Sequence, residues 1–210
     1  CFYVYTSGTT GLPKASIMTH FRWIKASAGF GLCGLNLQPG DVIYVPLPLY
    51  WAPEAEVSTR LNEKWTRGWL LGWRDIARAT DMRTLIASVL PLAAIGNTTP
   101  LLLPAAEPKL IAALYASLCS FVLDYASRQK VGGTHLNYLQ LKQLPVLSPF
   151  SYERATPWAS DSILAWLLPR VLELTYTAWD LEPFARDIGY DGPPFVWNTA
   201  RRAQLRAELD

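Results

Sequence analysis

The spacing of apolar and polar positions predicts strands at the start of the chain and helices at its end. Phe2-Tyr3-Val4-Tyr5 is an aromatic and β-branched run typical of a buried strand. Residues 15–19 are predicted as the return strand. Residues 21–33, with apolar side chains at helical spacing, are predicted as the following helix, and residues 42–45 as another strand.

The middle of the chain contains both helical and strand-like patterns of apolar residues. Pro53 and the glutamates after it predict a helix over residues 54–65. Aromatic and small residues alternate over residues 67–74, which predicts a strand. Two more buried strands are predicted at 85–90 and 100–103, joined by the turn-forming loop Gly96-Asn97-Thr98-Thr99.

The last half is mainly helical in pattern. Residues 107–129 predict one long helix that Gly132-Gly133 stops in the left-handed conformation, followed by a short strand leading to Pro145. Asp161 is predicted to cap a helix through Trp179 with a break at Pro169. A turn at 182–188 and a helix over 200–210, capped by Asn198 or Thr199, complete a mixed α/β chain of the α+β type.

Composition allows a substantial core, since 50% of the residues are hydrophobic and nine are tryptophan. Net charge is +2 and comes from the first fifty residues, so any nucleic-acid contact needs a local basic patch. The three cysteines are far apart and show neither metal-ligand nor disulfide spacing, which predicts that the protein is located in the reducing cytoplasm. Met82 and Cys119 are expected in the core.

The apolar run at 110–123 is too short for a bilayer, so no membrane span is expected. The chain starts at Cys1 inside a predicted strand, and its last helix stops without a cap. Both features lead us to expect a fragment.

The first candidate site is the string Thr6-Ser7-Gly8-Thr9-Thr10-Gly11-Leu12-Pro13-Lys14, directly after the first strand. Glycines let the backbone approach a ligand closely, N–H and O–H groups donate hydrogen bonds, and the lysine adds a positive charge. These properties suit a phosphate group. The alternative is an ordinary hairpin loop rich in Ser, Thr and Gly.

This string resembles the signature of the adenylate-forming superfamily, in a context similar to fatty acyl-CoA synthetases. The resemblance implies ATP with magnesium, held through its phosphates by Thr6, Ser7, Gly8, Thr9, Thr10, Gly11 and Lys14. After Tyr50 the likeness stops. Trp51 stands where the family usually has a histidine, and the later family signatures do not follow. We therefore expect no ligase activity from this chain as written.

The second candidate site is a polar, basic corner after the long predicted helix, together with loops beside the strands. Arginine can address guanine and asparagine adenine, and cations can contact phosphates. The candidate DNA contacts are Arg74, Arg78, Arg83, Asn97, Thr98, Arg128, Lys130, Thr134, Asn137 and Lys142. The alternative is a solvated helix end with surface ion pairs, Arg74 with Asp75 and Arg83 with Asp81.

Three strings carry a second resemblance: residues 65–76, residues 120–134 and Leu141-Lys142-Gln143-Leu144-Pro145. They look like the target-recognition region of type IIG restriction–modification enzymes, which are adenine-specific DNA methyltransferases. The resemblance implies double-stranded DNA and the rest of the methyltransferase chain as partners, and S-adenosylmethionine as the parent's cofactor. Neither a cofactor loop nor a base-binding motif is present, so no catalytic residue and no metal site are assigned.

We thus expect two truncated segments. Residues 1–49 would be a strand–loop–strand–helix piece of an adenylate-forming fold, and residues 50–210 a target-recognition-like domain truncated at its C-terminus. The main functional hypothesis is the DNA-recognition portion of a site-specific adenine-N6 methyltransferase. The alternatives are a fragment of an AMP-forming acyl-CoA synthetase and a non-functional composite produced by a joining error.

Overall fold

The computed structural model describes residues 2–6, 14–18, 54–61 and 64–210, the first two ranges as backbone. It divides into two compact units, Cys1–Leu49 and Tyr50–Asp210. The predicted helix at 21–33, the predicted strand at 42–45 and the loop at 7–13 lie outside the described residues.

In the first unit, strand β1 (Phe2–Thr6) pairs antiparallel with strand β2 (Lys14–Met18). The pairing runs from Phe2 opposite Met18 to Thr6 opposite Lys14. Both strands were predicted, and the pairing confirms them.

A three-stranded sheet forms the centre of the second unit. Strand β3 (Trp69–Trp73) lies between β4 (Ala87–Pro91) and β5 (Leu101–Leu102), and both neighbours run antiparallel to it. Every residue of β3 is buried, in agreement with the four large apolar side chains among its five residues. All three predicted strands of this region are confirmed, and the unit is a mixed α/β structure compatible with the α+β type.

Seven helices accompany the strands in the described part of the chain. They are α1 (Glu54–Leu61), α2 (Pro108–Cys119), α3 (Phe121–Arg128), α4 (Tyr138–Leu141), α5 (Ile163–Thr175), α6 (Glu182–Asp187) and α7 (Thr199–Leu209). Short 3₁₀ helices lie at Pro149–Glu153 and Trp179–Leu181. Asn198, one of the two predicted caps, caps α7.

The prediction that Asp161 caps the helix containing Pro169 is wrong by one residue. The Ser162 hydroxyl accepts a 3.2 Å hydrogen bond from the Ala165 amide and caps α5 instead. The Asp161 carbonyl accepts a hydrogen bond from the Thr156 amide. Asp161 therefore belongs to the preceding loop.

The prediction of one long helix over 107–129 is also wrong. Ser120 has an extended backbone, and its hydroxyl accepts a 3.2 Å hydrogen bond from the Leu123 amide. Serine at a cap satisfies an amide that the start of a helix leaves without a partner. The chain therefore ends α2 and begins α3 at this residue, with a bend of 61° between the two helices.

The predicted left-handed glycine stop and the strand after it do not form. Helix α3 ends at Arg128, and the residue that caps it, Gln129, has a right-handed backbone conformation. Among the described glycines only Gly189 has a positive φ, of 97°. His135 makes one isolated bridge to Ile76, and the chain then enters α4. Asn137 and Gln140 form a capping box there, so local capping competes with strand formation.

Two hydrophobic clusters form the core of the second unit. The larger contains Trp69, Ile111 and Phe184, and the smaller contains Trp73 and Leu136. Cys119 packs against the smaller cluster, as expected. The expectation for Met82 is wrong, because 93% of its surface is exposed.

None of the described helices is by itself long and apolar enough to cross a membrane. The bent pair α2 and α3 together meets that length and composition.

Candidate functional site

The first candidate site begins and ends at residues that face each other across the first hairpin. Thr6 closes β1, Lys14 opens β2, and the two are backbone partners in the antiparallel ladder. Ser7, Gly8, Thr9, Thr10 and Gly11 lie between them and outside the described residues. The hairpin thus brings the two ends of the signature together.

Three loops of the second candidate site also meet. The Asp75 amide donates to the Thr98 carbonyl at 2.9 Å, and the Leu136 amide donates to the Asp75 carbonyl at 2.7 Å. The Ala77 amide donates to the Thr134 carbonyl at 3.0 Å. Segments far apart in sequence are therefore brought together at one end of β3.

Arg74 and Arg83 make contacts within the protein. Arg74 Nη2 lies 3.1 Å from Asp81 Oδ2 and donates to the Arg83 carbonyl. Arg83 Nη2 donates to the carbonyls of Cys119 and Ser120, and its guanidinium lies 4.6 Å from the Phe121 ring centre.

The predicted ion pairs of these arginines are wrong in their partners. Asp81 pairs with Arg74, and Arg83 Nε lies 3.6 Å from Asp124 Oδ1. Asp75 instead places Oδ2 at 2.6 Å from Nδ1 of His135. Neighbours in sequence were assumed to pair, whereas the fold supplies a partner from another segment to both Arg83 and Asp75.

Asp124 is the centre of the most connected polar group here. Its Oδ1 accepts hydrogen bonds from the amides of Thr84 and Leu85 at 2.7 and 2.8 Å, and its Oδ2 accepts one from Arg128 Nε at 2.9 Å. Burial by itself would raise the pKa of Asp124, but these hydrogen bonds and the Arg83 charge outweigh burial and lower it. Asp124 is therefore ionised and holds two segments together.

Arg128 extends this group to the loop before β4. Its Nη1 donates to the Ala79 carbonyl at 3.1 Å and its Nη2 to the Met82 carbonyl at 2.5 Å. Sequence reasoning missed Asp124, although an aspartate four residues before an arginine in an apolar helix is a detectable signal.

The remaining DNA candidates make fewer side-chain hydrogen bonds within the protein. The Asn137 side chain accepts a 3.1 Å hydrogen bond from the Gln140 amide and thus caps α4. The side chains of the others are exposed and make no hydrogen bond within the described residues: Arg78, Asn97, Thr98, Lys130, Thr134 and Lys142. Half of the basic side chains proposed for DNA therefore have internal structural partners, namely Arg74, Arg83 and Arg128.

Comparison with known proteins finds similarity for the first segment. The family model of AMP-binding enzymes matches residues 1–59. The chain is 61% identical over 49 residues to the medium/long-chain fatty-acid–CoA ligase FadD6 of Mycobacterium tuberculosis, covering 23% of this chain and 8% of that protein. It is 55% identical over 49 residues to the long-chain fatty acid transport protein 1 of Homo sapiens, covering 23% and 7%.

A third relative is the long-chain fatty acid transport protein 3 of Mus musculus, which is 48% identical over 50 residues, covering 24% of this chain and 7% of the relative. The chain thus spans less than a tenth of the length of the curated relatives it matches. No solved structure matches it. The adenylate-forming resemblance of the first segment is confirmed.

The main functional prediction, DNA recognition for an adenine methyltransferase, is wrong. The matches point to the acyl-CoA synthetase alternative, and none of them supports a type IIG region or S-adenosylmethionine. The strings that suggested it include helix caps and arginines that have structural partners here. The segment boundary, the individual site residues, the DNA and methyltransferase-chain partners and the cytoplasmic location stay predictions.

Proposed function

We propose that residues 1–49 are the ATP-phosphate-binding segment of an AMP-forming fatty acyl-CoA synthetase. One observation carries the proposal: the AMP-binding match covers residues 1–59, and this stretch contains the complete Thr6–Lys14 string. The 61% identity to a fatty-acid–CoA ligase over 49 residues supports a fatty acid as the partner substrate.

The residue types of the string suit the phosphates of ATP. Gly8 and Gly11 allow the backbone N–H groups to approach the phosphate oxygens, and the threonine and serine hydroxyls add donors. Lys14 supplies a point charge. ATP would arrive as its magnesium complex, with the metal on the phosphate oxygens.

The hairpin supports this role through its register. Thr6 and Lys14 are opposite each other, so the intervening loop is closed at its base by strand pairing. A loop closed in this way loses less conformational freedom when it binds a ligand. The pairing also brings the backbone of Lys14 to the same end of the ladder as the hydroxyl-bearing Thr6.

In the intact enzyme the fatty-acid carboxylate would attack the α-phosphorus of ATP, forming an acyl adenylate and releasing pyrophosphate. Donors around the phosphates would stabilise the negative charge that develops on the leaving pyrophosphate. The later signatures of the family do not occur in these 210 residues. We therefore propose nucleotide binding, and no complete ligation, for this chain.

The test is isothermal titration of the 210-residue chain with ATP, tripolyphosphate and adenosine. We expect ATP and tripolyphosphate to bind and adenosine to bind far more weakly. Lys14→Ala should weaken ATP binding by about tenfold or more, since a hydrogen bond to a charged group contributes about 1.5–3 kcal/mol.

Lys25→Ala is the matched control, because it removes the same charge from the same unit outside the string. It should leave the affinity for ATP nearly unchanged. Equal losses in both variants, or no saturable binding of ATP to the unaltered chain, would contradict the proposal.

A further inference from the structure

A cavity of about 300 Å³ lies in the second unit, among α2, β4, α5 and α7. Its walls include apolar side chains from all four elements or the segments beside them, among them Leu85, Ala116 and Leu174. Its size is at the lower end of the range found for small-molecule sites.

The polar lining of this cavity is strongly cationic. Arg83, Arg202 and Arg206 line it together with one acidic residue, Asp210. Asp210 Oδ1 accepts a 2.8 Å hydrogen bond from the Phe121 amide at the start of α3 and forms no ion pair with these arginines.

Two further polar residues in the wall carry no charge at neutral pH. Burial raises the pKa of the Tyr115 hydroxyl and of the Cys119 thiol. Neither group can therefore neutralise the arginines as an anion.

Arg83 already has partners for two of its nitrogens: Nη2 donates to the carbonyls of Cys119 and Ser120, and Nε lies 3.6 Å from Asp124 Oδ1. The other two arginines of the wall are therefore the candidates for binding a ligand.

Arg202 and Arg206 lack such carbonyl and carboxylate partners in the part of the chain that the structure describes. Arg202 stacks on Trp197 at 3.8 Å from the ring centre, and its Nη1 is buried without a hydrogen-bond partner among the described residues. No described carboxylate lies within ion-pair distance of either arginine. Like charges four residues apart on a helix repel each other, and the Glu173 carboxylate compensates Arg202 only in part because it pairs with Arg201. Helix α7 therefore carries two cations beside the cavity that have no direct ion-pair partner among the described residues.

We propose that this cavity binds a small organic oxyanion, a carboxylate or phosphate monoester attached to a short apolar group. The oxyanion would pair with Arg202 and Arg206, because guanidinium groups bind such oxygens through directed, charge-assisted hydrogen bonds. The apolar group would lie against Leu85, Ala116 and Leu174. This site is independent of the nucleotide-binding segment, and its ligand is defined by charge and size.

The test is titration calorimetry of the 210-residue chain with phenyl phosphate, benzoate and benzamide. We expect saturable one-to-one binding of phenyl phosphate or benzoate, and the tighter of the two identifies the preferred oxyanion. Benzamide has nearly the shape of benzoate without its charge and should bind at least tenfold more weakly. Binding of benzamide as tight as that of benzoate, or binding of none of the three, would overturn the proposal.

Two variants locate the site. Arg206 is exposed on α7, so Arg206→Gln should keep the fold and weaken the preferred anion by about tenfold. Arg202→Met should weaken it further. Arg201→Gln is the control on the same helix, since Arg201 pairs with Glu173 at 3.0 Å and does not line the cavity.

The control should change affinity by less than about twofold. If Arg202→Met unfolds the chain, as far-ultraviolet circular dichroism would reveal, the comparison of Arg206→Gln with Arg201→Gln decides. Equal losses in those two variants, or no loss in Arg206→Gln, would overturn the assignment.

Discussion

Arg128 Nε donates a 2.9 Å hydrogen bond to Oδ2 of Asp124, four residues earlier on α3. The other carboxylate oxygen accepts the amides of Thr84 and Leu85, which lead into β4. Only 4% of the Asp124 side chain is exposed. A buried carboxylate thus joins a helix to the loop that precedes a central strand.

Asp124→Asn should destabilise the second unit by about 2–4 kcal/mol, because Arg83 and Arg128 would lose their carboxylate partner and a new N–H group would face a guanidinium. Urea unfolding followed by tryptophan fluorescence measures the change. Asp191→Asn is the control, since Asp191 is exposed and its side chain makes no hydrogen bond within the described residues. A control loss as large as that of Asp124→Asn would show that the network contributes nothing specific.

Lowering the pH should remove the stabilisation that the Asp124 carboxylate contributes. Because the pKa of Asp124 is lower in the folded chain than in the unfolded chain, the unfolded state binds more protons between those two values. The stabilisation is complete above the unfolded pKa of about 4, and it declines as the pH falls towards the folded pKa. As the pH is lowered from about 6 to about 3, the urea midpoint of the unaltered chain should therefore fall more steeply than that of Asp124→Asn. Parallel pH profiles would contradict this prediction.

Gly72 is the fourth of the five residues of β3, at a position where a side chain would be crowded. A Cβ there would lie 3.0 Å from the Pro100 carbonyl oxygen and 3.2 Å from Thr99 Cγ2. That carbonyl accepts a hydrogen bond from the Trp73 amide, so it cannot move away without weakening the sheet.

Gly72→Ala should therefore lower the free energy of unfolding by about 1–3 kcal/mol. Gly96→Ala is the control, because a Cβ at Gly96 meets nothing within 4 Å. Urea titration of both variants should separate them, and equal stability of the two would show that the strand accommodates a methyl group.

Arg67 depends on the planar shape of its guanidinium. It lies 5.4 Å from the Trp65 ring centre, donates a 2.6 Å hydrogen bond to the Ala106 carbonyl and places Nη1 3.6 Å from Asp187. Lysine keeps the charge but cannot make the carbonyl, carboxylate and ring contacts together.

We expect Arg67→Lys to destabilise the second unit by about 1–2 kcal/mol, measured as a shift of the urea midpoint. Arg60→Lys is the control, since Arg60 is exposed on α1 and makes an exposed ion pair with Glu56. Its effect should stay below about 0.5 kcal/mol. A neutral Arg67→Lys would mean that the positive charge alone suffices there.

The sequence by itself determined the features that depend on neighbouring residues. The apolar run of β3, the hairpin strands β1 and β2 and the cap of α7 at Asn198 follow from local pattern and capping chemistry. The Thr6–Lys14 string likewise predicted the resemblance to AMP-binding enzymes, because this resemblance is carried by a contiguous run of residues.

Only the tertiary structure decided which partners the polar side chains have. Arg83 could have faced solvent, Asp81 or DNA, and it contacts Cys119 and Asp124 because the fold brings α2 and α3 beside β4. Arg83, Arg202 and Arg206 line one cavity because the fold also brings α7 to this place. A polar residue's role is set by what lies opposite it in space, and one-dimensional spacing does not specify that when the partners are distant in the chain.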